Sequence, residues 1–230
     1  MNILSFFDID NTLLHSSRGH VEALLLSIAE VYDLEARIDV INHHGMTDQE
    51  IIARVLEAYG IDQAVIKSGL KTCMDTMCRR YSEIVKSENI IIMDGAFDLI
   101  VRLEQNGINL GLVTGNLESI ARHKLEKIGL DPFFKIGGFG SDHIKRGELV
   151  KIAIQRAEEW FGCDYKGRVF HFGDAPQDMQ AARQGGAVPV GVSTGVFAAE
   201  QLTAAGAEIV FPDLRGVDTI LKMVLKTNTR

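Results

Sequence analysis

A chain of 230 residues, 46% hydrophobic and 24% charged, can bury a sizeable core as one large domain or as a domain with an insertion. Its net charge of −7 argues against a dedicated nucleic-acid binder, which would carry a basic stripe, so an anionic substrate must be held by local positive charge or a metal. No basic segment precedes the first apolar run, which Asp8 interrupts early, and the longest apolar cluster elsewhere (23–29) is too short to span a bilayer. Three cysteines cannot all pair, and Cys73 and Cys78 lack a zinc-like spacing. They read as free thiols in a reducing compartment, and a cytoplasmic protein without a membrane partner is expected.

The first apolar run, Ile3 to Phe7, reads as a buried strand ending at Asp8. From about 18 to 87 the pattern is helical. Leu24, Leu25, Ile28, Val31 and Tyr32 recur at helical spacing. Thr47 stands three residues before Glu50 as a helix start, and Ile51, Ile52, Val55, Leu56 and Tyr59 follow as a stripe that Gly60 stops. A third helix is expected over about 64–85. The rhythm then alternates: helix 95–105, strand 108–113, helix 119–127, strand 133–136, helix 148–161, strand 168–172, helix 178–184, strand 188–192, strand 208–211 and helix 217–225. Such alternation predicts an α/β fold, a doubly wound, Rossmann-like parallel sheet covered on both faces, with the helical block inserted above one end. The expected core is 1–14 with 92–230, and the expected helical cap is 15–91.

Four loops that follow strands carry chemistry. Asp8 and Asp10 stand one residue apart at a strand end, so their side chains start toward the same side, where like charges call for a cation or a raised pKa. Thr114-Gly115-Asn116 offers a hydroxyl, a close backbone approach and an amide just before a helix start. Lys145-Arg146 puts two cations before another helix, and Gly173-Asp174 with Asp178 puts two more acids at a strand end. Taken singly, each is also an ordinary turn, cap or solvated charge pair. All four in this order make that coincidence improbable.

Asp8-Ile9-Asp10-Asn11-Thr12, Thr114, the basic pair and Gly173-Asp174 with Asp178 together resemble the motifs of the haloacid dehalogenase-like phosphatase superfamily over essentially the whole chain. The helical insertion and Gly45-Met46-Thr47-Asp48 resemble its phosphoglycolate phosphatase-like branch. The resemblance implies that Asp8 is the nucleophile forming an aspartyl-phosphate and that Asp10 is the general acid and base. It also implies Mg²⁺ held by Asp8, the Asp10 backbone carbonyl and Asp174, with Asp178 in or beside that shell. Thr114, Gly115, Asn116 and a basic residue would clamp the phosphoryl oxygens. Many relatives have Lys-Pro at the third motif. Here alignment on the helix start favours Arg146, with Lys145 the alternative. Arg18, His43, His44 and Thr47 are candidates for choosing the leaving group.

The function implied is a Mg²⁺-dependent phosphatase acting on a small phosphorylated metabolite, with 2-phosphoglycolate as a candidate. A β-phosphoglucomutase-like phosphomutase needs the same core. Dehalogenases of the superfamily lack an acid at the position of Asp10. The readings of another class are a non-catalytic phospho-acceptor, which needs neither the general base nor the lid, and a binding protein, against which the intact set of acids speaks.

Overall fold

The computed structural model describes residues 2–16 and 18–226. In chain order these form β1 (Leu4–Phe7), β2 (Leu14–Ser16), α1 (Gly19–Tyr32), α2 (Asp48–Ala58), α3 (Gln63–Ile84), β3 (Ile90–Ile92), α4 (Ala96–Gln105), β4 (Asn109–Thr114) and α5 (Glu118–Lys127). There follow β5 (Ile136–Phe139), α6 (Arg146–Phe161), β6 (Val169–Gly173), α7 (Pro176–Gly185), β7 (Val188–Val192), α8 (Ala199–Ala204), β8 (Ile209–Phe211) and α9 (Val217–Lys226). Residues 1, 17 and 227–230, which the expected core and cap ranges include, lie outside the described residues.

Six strands pair in the order β5-β4-β1-β6-β7-β8, every pair parallel. This is the doubly wound α/β sheet that the alternation predicts. β1 is buried at every position, as a central parallel strand covered on both faces must be. One face packs Phe7, Leu112 and Phe172 against α4, α5 and α9; the other packs Leu4, Phe6 and Val113 against α6 and α7. Phe7 stacks on Phe172 at 4.7 Å, in register with it across the β1–β6 pair. The strand order reverses around β1, so the carboxyl ends of β1, β4 and β6 meet at the switch point where open α/β sheets bind ligands.

The segment between β2 and β3 is the helical block. Ala23, Leu24 and Ile28 of α1, Ile52, Val55 and Leu56 of α2, and Cys73, Met77 and Tyr81 of α3 form an apolar cluster that also takes in Leu117 and Ile120 at the start of α5. Thr47 caps α2, its hydroxyl accepting from the Glu50 amide at 3.3 Å. The cysteines are free. No helix among the described residues is long and apolar enough to cross a membrane.

Three features differ from the sequence reading. The strand expected over 133–136 lies at Ile136–Phe139, and Asp131–Phe133 is a 3₁₀ turn that Pro132 starts. The short antiparallel pair β2–β3, and α8, have no counterpart in that reading.

Candidate active site

The carboxylates converge as the strand ends do. Asp8 follows β1, Asp174 follows β6, and Asp178 sits in the first turn of α7, where Pro176 starts the helix. Each of the three offers an oxygen within 4.8 Å of the others, and all three are buried. Asp178 accepts from the Ala175 amide at 3.0 Å. Arg146, the first residue of α6, donates to Asp8 at 3.1 Å and also pairs with Asp178. Lys145 is exposed and is not part of the cavity wall at these acids, so of the two cations the fold brings Arg146 to them.

Three carboxylates against one guanidinium leave a surplus of negative charge. Burial, then repulsion from Asp178, pushes the Asp8 pKa up to about 7, although Arg146 opposes the shift. Burial and the charges of Asp178 and Asp8 push Asp174 up to about 9. Gly195 is packed against this cluster: a Cβ there would lie 1.8 Å from Asp174 Oδ2. A divalent oxygen-seeking cation fits such a donor set, because it neutralises the surplus and needs no nitrogen or sulfur ligand.

Asp10 has a different environment. Its carboxylate accepts from Lys124 Nζ at 2.7 and 2.8 Å and from Asn116 Nδ2 at 2.8 Å. Burial raises the Asp10 pKa, but Lys124 and His20 outweigh it and hold the group well below the usual carboxylate range. Lys124 is fully buried on α5 and also donates to Asn116 Oδ1 at 2.7 Å. Its ammonium lies 2.9 Å from His20 Nδ1, and His20 Nε2 lies 3.0 Å from Asp48 Oδ1.

Asp48 ties the helical block to the core. Its Oδ2 accepts from the Leu117 amide at the start of α5, and its own amide donates to the Gly115 carbonyl, both at 2.8 Å. Thr47 donates to the Ile144 carbonyl at 3.1 Å, and Arg146 to the Gly45 carbonyl at 3.1 Å. Gly115 permits this approach: a Cβ there would lie 2.4 Å from the Met46 carbonyl oxygen.

Beneath the block lies a cavity of about 260 Å³ lined by Asp8, Asp10, Gly115, Asn116, Arg146, Asp174 and Asp178 from the core. Thr114 sits behind this wall, fully buried, with its hydroxyl accepting from the Asn116 amide and side chain. From the helical block His43 and His44 reach the cavity. Arg18 is exposed outside it, and Thr47 is occupied as a cap. Lys124 and His20 were not singled out from the sequence, and Asp48 entered only as the last residue of the Gly45-Met46-Thr47-Asp48 segment. Lys124 had a visible signal, since it occupies a position that the stripe Leu117, Ile120, Ala121, Leu125 reserves for an apolar residue.

A family model described as haloacid dehalogenase-like hydrolase matches residues 4–186, which span the strand ends just described. The chain belongs to the haloacid dehalogenase-like hydrolases. Among its relatives are the phosphoglycolate phosphatases of Rhodospirillum rubrum, 28% identical over 90% of this chain and 86% of that one, and of Pseudomonas putida, 24% identical over 93% and 78%. The fold is shared with a hydrolase from Pseudomonas syringae, with a TM-score of 0.73, 21% identity and coverage of 97% and 99% of the two chains. It is shared also with CbbY from Rhodobacter sphaeroides, solved in complex with phosphate, with a TM-score of 0.74, 17% identity and coverage of 94% and 96%. These relatives place this haloacid dehalogenase-like hydrolase among the phosphatases of its family.

Proposed function

We propose that this enzyme is a Mg²⁺-dependent phosphatase that hydrolyses a small phosphorylated metabolite through an aspartyl-phosphate on Asp8. The observation that carries the reading is the buried group Asp8, Asp174 and Asp178 with Arg146 bound to the first and last of them. The names of the relatives make 2-phosphoglycolate the first compound to try. Residues 15–91 act as the cap.

Asp8, Asp174, Asp178 and the Asp10 backbone carbonyl would hold the ion. When bound, Mg²⁺ supplies positive charge between the nucleophile and the phosphoryl oxygens. Asp8 attacks phosphorus as its carboxylate, and the bond to the leaving oxygen breaks. Arg146 stays on Asp8 and offers its remaining donors to the phosphoryl group, as do the backbone amides of the Gly115-Asn116 turn. Asp10 protonates the leaving oxygen and then takes a proton from the water that attacks the aspartyl-phosphate. Lys124 holds Asp10 in the ionised form that the second step needs, and the approach of a phosphate dianion raises its pKa for the first. The helical block excludes bulk water while the acyl phosphate exists.

Phosphate release from phosphorylated metabolites with Mg²⁺, set beside the same mixture with EDTA, tests the reading; turnover that survives EDTA would sink the metal requirement. A second measurement needs no substrate. Protons compete with the ion for Asp8 and Asp174, whose pKa values lie near 7 and 9, so Mg²⁺ affinity rises with pH through that range. Saturating Mg²⁺ is therefore expected to raise the melting temperature by roughly 5–10 °C at pH 8.5 and by much less at pH 6. Gly195→Ala is expected to displace Asp174 and remove most of that shift, and a full shift in the variant would show that Asp174 does not hold the ion.

A further inference from the structure

The cavity wall is divided by charge. Five carboxylates line it, those of Asp8, Asp10, Asp48, Asp174 and Asp178. Arg146 is the only Lys or Arg among the described lining residues, and it is already paired with Asp8 and Asp178. Lys124 is fully buried behind Asp10, and Arg18 and Lys145 are exposed away from the wall. The part of the wall built by the helical block adds to the Asp48 carboxylate the apolar side chains of Val21 and Leu24 of α1, Ile38, and Ile51 of α2. Its remaining polar groups are imidazoles. His43 and His44 stack with ring centroids 4.8 Å apart, and Phe197 meets His44 edge-on at 6.3 Å. Burial, then the neighbouring His44, holds the His43 pKa below its usual value, so His43 meets a ligand as a neutral donor and acceptor at pH 7.

Among the described lining residues Arg146 is the one Lys or Arg, and with a bound metal ion its charge is taken up by the carboxylates and one transferred phosphoryl group. A carboxylate or second phosphoryl group on the leaving group would face apolar side chains and the Asp48 carboxylate, with no cation to pair it, which is strongly disfavoured. Neutral hydroxyls suit the imidazoles, and an apolar face suits Val21, Leu24, Ile38 and Ile51. Resting on the phosphatase reading above, we infer that the site selects phosphomonoesters of uncharged, hydroxyl-bearing leaving groups with an apolar face, and rejects leaving groups that carry a carboxylate or a second phosphoryl group. 2-Phosphoglycolate then falls outside the preferred class. So does any bisphosphate, which a phosphomutase must hold at both ends.

Two substrate pairs isolate the charge. 2-Hydroxyethyl phosphate and 2-phosphoglycolate differ by a hydroxymethyl group in place of a carboxylate. Phenyl phosphate and 4-carboxyphenyl phosphate differ by one carboxylate on the same ring. With Mg²⁺, kcat/KM is expected to favour the neutral member of each pair by about 100-fold. Val21→Lys puts an ammonium on a half-buried position of the wall and is expected to shrink that ratio by about tenfold. Leu26→Lys, on the exposed side of the same helix, leaves the ratio unchanged. Equal rates within a pair, or preference for the carboxylate member, overturn the inference, as does an unaltered ratio in a folded Val21→Lys protein. Acetyl phosphate separates the two levels. If it labels Asp8 while neither pair favours its neutral member, only the inference fails. If it does not label Asp8 and no ester is turned over, the phosphatase reading fails and the inference falls with it.

Discussion

Asp8→Asn is expected to lower phosphate release by on the order of 10⁴-fold or more, because it removes the nucleophile while keeping the shape of the side chain. The same change is expected to raise the melting temperature of the metal-free protein. At pH 8 the Asp8 carboxyl, whose pKa is pushed up to about 7 by burial and by Asp178, is ionised in a buried site beside Asp178 and destabilises the fold. The sign follows from linkage: a raised folded-state pKa means that the folded chain binds more protons between about pH 4 and 7, so stability falls as pH rises through that window. Asparagine removes the charge and can still accept from Arg146. Lost activity with gained stability is the signature of a residue kept for chemistry. Activity within tenfold of the parent enzyme would remove Asp8 from the role of nucleophile, and a lower metal-free melting temperature would show that the carboxylate cluster is not repulsive.

Lys124→Met is the second large effect. The lysine is fully buried, and its ammonium is spent on Asp10, Asn116 and His20. Removing it leaves the Asp10 carboxylate without its cation, and breaking a buried pair from one side costs about 3–5 kcal/mol. For a chain of this length that is a fall of roughly 6–20 °C in the melting temperature. Adding Asp10→Asn removes the stranded charge, so the double variant is expected to recover much of the stability and none of the turnover. Scanning calorimetry on the parent, Lys124→Met and the double variant decides the matter. A Lys124→Met protein that melts with the parent would mean that the pair contributes nothing in solution.

The parts legible in the sequence were those whose cause is local. β1, β4 and β6 are apolar runs because both faces of a central parallel strand are covered, and their acids and turn residues stand directly after them. β5 was misplaced because the aromatic pair Phe133-Phe134 looks more like a strand than Ile136-Gly137-Gly138-Phe139 does. Those glycines are set by neighbours far away in sequence: a Cβ at Gly138 would lie 2.1 Å from the Leu149 carbonyl oxygen. The three-residue strands β2 and β3 are too short to show a period.

The same division runs through the site. Asp8, Asp174 and Arg146 were legible from position in a loop. The link from Asp10 through Lys124 and His20 to Asp48 joins four segments, and its one trace in local spacing is the lysine set in the apolar stripe of α5.

The β2–β3 pair has one more consequence. Leu14 is in register with Ile92, and the Met93 amide donates to the Leu13 carbonyl at 2.9 Å, so the chain departs from the sheet and returns to it at a single zipped neck. Everything beyond that neck is, for the sheet, one long loop. Helices there can be lengthened, exchanged or lost without altering the strand order that gathers the carboxylates. The segment from His15 to Ile91 is therefore free to vary wherever it keeps the contacts of His20 with Lys124, of Gly45 with Arg146 and of Asp48 with Gly115 and Leu117.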